Sequence, residues 1–88
     1  MKILKFGAIW CKECLVMKPI FSEIETEIPE LKTEYYEADE NPEILKEHEV
    51  KNIPEFIFLD KNDKEFLRLQ GIQNKDELIK IIKENLDK

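Results

Sequence analysis

Apolar residues along the chain fall into short segments that alternate between strand-like and helix-like spacing. Residues 2–8, "KILKFGA", are mainly apolar and predict a short buried strand. From Cys11 onward the apolar residues recur at helical spacing, which predicts a helix that contains Pro19 and ends at Pro29. Residues 31–39 alternate enough between apolar and polar to predict a second, half-exposed strand.

The middle of the chain predicts a short helix followed by a hairpin. Asn41 is an N-cap candidate for a helix within residues 41–50, because a proline follows it at the first helical position. Residues 55–60, "EFIFLD", are dense in aromatic and β-branched types and predict a third strand. The polar tetrapeptide at 61–64 then predicts a turn into a fourth strand at 65–71.

A last helix completes the predicted order of elements. Asn74 can cap a helix over residues 75–86, which carries an apolar stripe. The order is then β-α-β-α-β-β-α, with a right-handed crossover between two parallel strands followed by an antiparallel hairpin. We expect one α/β domain over residues 1–88, in which helices flank both faces of a four-stranded mixed sheet.

The net charge of the chain limits the classes of partner that it is expected to bind. Fourteen basic and twenty acidic side chains give a net charge of −6, which argues against nucleic acid or an anionic membrane as the main partner. Residues 1–20 carry four lysines and one glutamate, so this end is the least acidic. No leader pattern is evident, and no apolar run approaches the roughly 20 residues that span a bilayer. We expect a cytoplasmic monomer.

The candidate chemistry lies in the only two cysteines, Cys11 and Cys14, which follow the only tryptophan, Trp10. Three interpretations are open: a redox pair, half of a metal site, or a structural disulfide. A disulfide between them closes a very short loop and constrains little of the unfolded chain. A structural zinc site needs about four ligands. His48 is the only histidine, so a metal site would require a dimer that shares two cysteine pairs.

The position of the pair between a strand and a helix favours redox chemistry. Cys11 falls at the predicted helix N-terminus, where free N–H groups and the helix dipole lower a thiol pKa. Cys14 lies one turn further on the same helical face, and we expect it to be the more buried of the two. Lys12 favours the Cys11 thiolate and Glu13 opposes it, which leaves the net effect of this dipeptide open.

"AIWCKEC", "NIPEFIFLD" and Gly71 carry a resemblance to the thioredoxin family, and the resemblance covers nearly the whole chain. "AIWCKEC" is similar to the Trp-Cys-x-x-Cys active site of that family, with Pro19 five residues past the second cysteine as in typical thioredoxins. "NIPEFIFLD" resembles the segment that holds a cis-proline facing the active site, which would be Pro54. Gly71 falls where the family keeps a glycine near its substrate groove.

The resemblance implies a thioredoxin-like fold and a role for each matching residue. Cys11 would be the nucleophile and Cys14 the resolving thiol, which form a disulfide with each other during the reaction. Trp10 would be an apolar platform, and Ile53 and Pro54 would lie beside the sulfurs, where the backbone of residue 53 can pair with an extended substrate.

The implied activity is that of a protein-disulfide reductase with no bound cofactor. Its substrates would be protein disulfides, and its electrons would come from an external reductase of the thioredoxin-reductase type. Two alternatives stay open. One is a glutathione-dependent, glutaredoxin-like enzyme. The other is a non-catalytic binding module or metal carrier that uses the cysteine pair in a dimer.

The chain departs from the family pattern at several points. It starts at the active-site strand, which predicts the minimal, glutaredoxin-sized fold. Lys12 and Glu13 replace the usual Gly-Pro between the cysteines, and Lys5 replaces a buried aspartate that helps to move the Cys14 proton. Glu55 on a neighbouring antiparallel strand can face Lys5 below the cysteines and accept that proton. The simpler expectation is that both side chains extend to solvent.

Overall fold

A computed structural model describes all 88 residues as four strands and three helices. The order of elements is the predicted one. Their bounds are β1 (Lys2–Gly7), α1 (Lys12–Glu27), β2 (Lys32–Glu37), α2 (Pro42–Glu47), β3 (Glu55–Leu59), β4 (Glu65–Gln70) and α3 (Lys75–Asn85).

The strands form a single mixed sheet in the order β2-β1-β3-β4. β1 pairs with β2 in parallel, and α1 forms the crossover between them. β3 runs antiparallel to both β1 and β4, with a register shift between Phe58 and Leu59. The predicted four-stranded mixed sheet, with its parallel crossover and hairpin, is therefore confirmed.

Helices cover both faces of the sheet because β1 and β3 carry apolar side chains in both directions. Every residue of β3 is buried. Phe56 and Phe58 contribute to the larger core, which α1 and α3 cover, and Ile57 and Leu59 contribute to the smaller core on the α2 face. Successive side chains along a strand point to opposite faces of the sheet. Residues two apart on β3 therefore contribute to the same core.

Helix α1 continues through Pro19 and ends at Glu27, before Pro29. Its buried residues are Met17, Phe21 and Ile24, whereas Leu15 is exposed. Met17 lies three residues after Cys14 and four before Phe21, which places all three on one face of a 3.6-residue helix.

The two asparagine caps have different outcomes. Asn74 caps α3, because its side-chain oxygen accepts a hydrogen bond from the Glu77 N–H at 3.0 Å. Asn41 occupies the N-cap position of α2 as predicted, with a proline at the start of the helix, but its side chain makes no cap hydrogen bond. Its Nδ2 instead donates to the Glu37 carbonyl at 3.0 Å, which ties the start of α2 to the end of β2.

Removing the Asn74 cap should weaken the fold measurably. The variant Asn74→Ala leaves the N–H of Glu77 without its side-chain acceptor, and the expected loss in the free energy of unfolding is about 1 kcal/mol. Urea unfolding followed by circular dichroism measures it. Asn62→Ala in the exposed turn is the matched control and should change stability much less. Equal losses in the two variants would show that the cap contributes nothing specific.

None of the three helices is long and apolar enough to cross a membrane.

Candidate active site

Cys11 occupies the N-cap position of α1. Its extended backbone, with φ −93° and ψ 116°, turns the chain from the loop after β1 into the helix. The backbone N–H of Cys14 donates to the Cys11 Sγ at 3.2 Å. The Cys11 thiol in turn faces the carbonyl oxygen of Ile53 at 4.0 Å. The first turn of the helix and the loop before β3 thus meet at this sulfur.

Cys14 lies one turn into α1, and both thiols are free. The expectation that Cys14 is the more buried residue is wrong, because Cys11 is only 7% exposed whereas Cys14 is partly exposed. The Ile53 loop lies against Cys11, and Cys14 borders an open cavity. Burial of the Cys14 thiol and its hydrogen bond with Cys11 nevertheless raise its pKa to about 12. Cys14 therefore keeps its proton at neutral pH.

The two residues between the cysteines have limited contacts. Lys12 and Glu13 are both exposed. After burial and the Cys11 hydrogen bond, the negative charge of Glu13 is a smaller contribution to the raised pKa of Cys14. Of this dipeptide, Glu13 therefore acts on Cys14 through its charge.

Trp10 lies on the surface beside the cysteine pair. Its side chain is 64% exposed, and its Nε1–H donates to the Asp39 carboxylate at 2.8 Å. The neighbouring Ile9 is also exposed. Sequence reasoning missed Asp39, although the parallel pairing of β1 and β2 brings the ends of both strands to one edge of the sheet. The hydrogen bond joins the residue before Cys11 to the segment that follows β2.

The loop before β3 brings the distant predicted residues to the cysteines. The peptide bond between Ile53 and Pro54 is cis. The Gly71 N–H donates to the Pro54 carbonyl at 2.8 Å, which joins this loop to the end of β4. Gly71 has a φ of +82°, a conformation that glycine adopts without steric cost. Cys11, Ile53, Pro54 and Gly71 thus form one continuous chain of contacts.

Lys5 and Glu55 do not face each other, and both sequence hypotheses about them are wrong. The antiparallel register pairs Lys5 with Phe56, and Glu55 with Phe6. The offset of one residue places Lys5 and Glu55 on opposite faces of the sheet. Neither side chain extends to solvent, since Lys5 is 16% and Glu55 8% exposed.

Lys5 is paired instead with a carboxylate of α1. Its Nζ donates to the Glu25 Oε2 at 2.6 Å and lies 5.4 Å from the centre of the Phe21 ring. The Thr33 hydroxyl donates to the same Glu25 oxygen at 2.8 Å. Burial alone would raise the pKa of Glu25, but the hydrogen bonds from Lys5 and Thr33 outweigh it and hold the pKa below its ordinary value.

Glu55 is buried on the α2 face, next to Arg68. Arg68 Nη1 lies 3.5 Å from a Glu55 oxygen, and the other Glu55 oxygen has no hydrogen-bond partner in the chain. Arg68 also donates to the Glu65 carboxylate and to the carbonyls of His48 and Glu49. The two carbonyl bonds join β4 to the end of α2. Burial raises the pKa of Glu55, and the positive charge of Arg68 only partly offsets that effect.

A cavity of about 390 Å³ opens beside Cys14, between α1 and the edge of the sheet formed by β1 and β2. Titratable side chains contribute to its wall together with apolar ones. They are Lys5, Cys14, Lys18, Glu25, Tyr35 and Glu37. Sequence reasoning missed Glu25, Tyr35 and Glu37 as neighbours of the cysteines. The signal lay in the parallel register, which pairs Lys5 with Tyr35 and Gly7 with Glu37.

The mixed sheet and the dithiol at the start of α1 define a protein of the thioredoxin-like class. The family model described as Thioredoxin matches residues 1–84, and the chain belongs to the thioredoxin family. Membership in this family implies thiol-disulfide oxidoreductase activity in general.

Individual relatives agree with the family match. Thioredoxin H5 of Oryza sativa is 36% identical over 74 residues, which are 84% of this chain and 54% of that protein. The chain thus spans about half the length of this relative. Thioredoxin NaTrxh of Nicotiana alata has a similar structure, with a TM-score of 0.87 and 30% identity over 96% of this chain and 71% of that one. Thioredoxin 1 of Thermosipho africanus aligns over 99% of this chain and 96% of its own, with a TM-score of 0.84 and 29% identity.

Proposed function

We propose that the protein reduces protein disulfides by dithiol exchange. Cys11 attacks a substrate sulfur as a thiolate, forms a mixed disulfide, and displaces the other substrate sulfur with its bonding electron pair. Cys14 then attacks the Cys11 sulfur and releases the second substrate thiolate, which leaves a disulfide between Cys11 and Cys14. One observation carries this proposal: the Cys11 sulfur lies at the N-cap of α1, where it accepts a hydrogen bond from the Cys14 N–H and faces the Ile53 carbonyl.

The difference between the two thiols supports this order of attack. A thiolate is the attacking species, and the raised pKa of Cys14 keeps that thiol protonated at neutral pH. Cys14 is therefore poorly suited to begin the reaction. It is well placed to complete it, because it lies one helical turn from Cys11 on the same face.

The surroundings of Cys11 favour an extended polypeptide as the substrate. The carbonyl of Ile53, in the bend before β3, lies beside the sulfur and can pair with an extended substrate, and exposed Trp10 and Ile9 offer apolar area. A reductase of the thioredoxin-reductase type would return the electrons, and no bound cofactor is needed. The glutathione-dependent alternative has less support, because the family model that matches the chain is that of thioredoxin.

A redox titration tests the proposed function. Trp10 fluorescence in dithiothreitol buffers should show a reversible two-electron transition, closer to about −270 mV, as for reducing thioredoxins, than to about −120 mV, as for strong oxidants. Cys14→Ser is the control and should show no such transition. A wild-type protein without a transition would contradict dithiol exchange. Recycling by glutathione in preference to a thioredoxin reductase would instead support the glutaredoxin-like alternative.

The metal-carrier alternative has a separate measurement. The chain holds no cluster of three or more His, Cys, Asp or Glu residues that could bind a metal ion. A site shared between two chains is the remaining possibility for the cysteine pair. Stoichiometric zinc or iron in anaerobically purified protein would favour that alternative over the redox proposal.

A further inference from the structure

Cys14 must lose its proton before it can attack Cys11. Lys5 lines the cavity beside Cys14, and its ammonium group is bound to Glu25. Glu25 is a poor acceptor for the proton, because two donors already occupy one of its oxygens and hold its pKa below the ordinary value. The other titratable groups that β2 contributes to this cavity are Tyr35 and Glu37.

Cys14 and Tyr35 both pack closely against Gly7. A Cβ atom built on Gly7 would lie 3.3 Å from the Cys14 Sγ and 3.2 Å from the Tyr35 hydroxyl oxygen. The thiol and the phenol thus border the same small volume, although no hydrogen bond joins them in the resting protein, where the Tyr35 hydroxyl bonds Glu37. With hydrogen as its side chain, residue 7 puts no atom between them beyond its own backbone.

Tyr35 also has an acceptor for its own proton. Its hydroxyl donates to Glu37 Oε1 at 3.0 Å. In the parallel register Tyr35 pairs with Lys5 and Glu37 pairs with Gly7, so the four residues share one face of the sheet. Tyr35 and Glu37 also line the cavity beside Cys14. Glu37 is partly exposed, so a proton that reaches it can pass to water.

We propose that Tyr35 and Glu37 form a proton relay that deprotonates Cys14 when it resolves the mixed disulfide. The Cys14 proton moves to the Tyr35 oxygen while the phenolic proton moves to the Glu37 carboxylate. The Cys14 thiolate then bonds to the Cys11 sulfur, and the substrate sulfur departs with the electron pair of the broken bond. Glu37 returns the proton to solvent. This step rests on the proposed function and specifies how it is completed.

The electrostatics of the cavity fit a relay through Tyr35. Burial and the hydrogen bond to Glu37 raise the pKa of Tyr35 to about 12, so the phenol holds its proton at neutral pH and can pass one on without ionising. Glu13 contributes negative charge near Cys14. The remaining titratable groups around this cavity are Lys5 on β1 and Lys18 and Glu25 on α1.

Stopped-flow reaction with a chromogenic aromatic disulfide separates the two chemical steps. Attack by Cys11 releases a first coloured thiolate at a rate that scales with disulfide concentration. Resolution by Cys14 releases a second one at a rate that does not. The first phase tests the proposed function, and the second tests the relay, so failure of one is distinguishable from failure of the other.

Tyr35→Phe should slow the second phase about 100-fold at pH 7 and leave the first unchanged, since general-base catalysis contributes at least about that factor. In Tyr35→Phe the rate of the second phase should then rise tenfold per pH unit, whereas in the wild-type protein the rate of this phase should rise less steeply. Glu37→Gln should act in the same direction. Gly7→Ala places a methyl group in the shared space, and it should slow the second phase without removing either relay residue.

Tyr36→Phe is the matched control. Tyr36 donates to Glu34 at 2.8 Å, also two residues away, but it stacks on Phe6 at the opposite face of the sheet. This variant should leave both phases and their pH profiles unchanged. A Tyr35→Phe effect below tenfold on the second phase, or an equal effect of Tyr36→Phe, would overturn the relay. Tyr35 is 54% exposed, so its variant should fold.

Discussion

Replacing Cys11 by serine should abolish disulfide reduction, whereas replacing Cys14 by serine should stop the reaction at a covalent adduct. Without the Cys11 sulfur no mixed disulfide can form. Without the Cys14 sulfur the adduct on Cys11 has no internal thiol to resolve it. Incubation of Cys14→Ser with a disulfide-containing protein should give one adduct per chain, visible on non-reducing gels and cleaved by dithiothreitol.

The serine variants also serve as controls for each other. Serine is a favourable N-cap residue, so Cys11→Ser can still accept the Cys14 N–H and should keep α1 intact. The double variant should neither turn over nor trap substrate. Trapping by Cys11→Ser and not by Cys14→Ser would mean that the two sulfurs have the opposite roles.

Replacing Arg68 by methionine should lower the free energy of unfolding by about 3 kcal/mol, because it leaves a buried carboxylate without its cation. Glu55 is 8% exposed, and one of its oxygens already lacks a partner. Arg68 also holds the carbonyls of His48 and Glu49. Urea unfolding at pH 7 measures the loss. In a Glu55→Gln background the same Arg68 replacement should cost clearly less.

The pH dependence of this loss has a definite sign. Burial raises the pKa of Glu55 in the folded state above its unfolded value of about 4.3. Ionised Glu55 therefore opposes folding at neutral pH, and this cost disappears as the pH falls through the folded pKa to below the unfolded one. The decrease in the free energy of unfolding that Arg68→Met causes should therefore be smaller at about pH 4 than at neutral pH.

A matched control addresses the exposed part of the same network. Glu65 bonds Arg68 at the surface, where ion pairs contribute at most about 1 kcal/mol, so Glu65→Gln should have a small effect. Arg68→Met could lower the free energy of unfolding by the same amount with and without Glu55, and by the same amount at both pH values. That result would show that the buried carboxylate is not the cause of the loss.

The sequence predicted the order of elements because that order depends on local patterns. The period of apolar residues, the prolines near the helix ends and the polar turn at 61–64 each act within a few residues. Register depends on contacts between distant segments. The prediction that Lys5 and Glu55 lie on neighbouring antiparallel strands was correct, but a pairing offset by one residue sends them to opposite faces.

The site was predictable to the extent that it follows from the cysteine motif. The position of Cys11 at the start of α1 and its proximity to Ile53 agree with the sequence analysis. The approach of Tyr35 and Glu37 to Cys14 was not predicted, because it depends on the parallel register and on the missing side chain of Gly7. Tyr35 alone looks like an ordinary residue of a half-exposed strand.

In the proposed reaction the Cys11 sulfur is both a reactant and the cap of α1, so redox state and folding stability are linked in one thermodynamic cycle. The N–H of Cys14 bonds this sulfur in the dithiol form. A change in the strength of that bond on oxidation alters the stability of the helix start, and it alters the reduction potential by the equivalent amount. About 30 mV corresponds to about 1.4 kcal/mol for two electrons. The difference in unfolding free energy between the reduced and the oxidised protein therefore gives the difference in reduction potential between the folded and the unfolded chain.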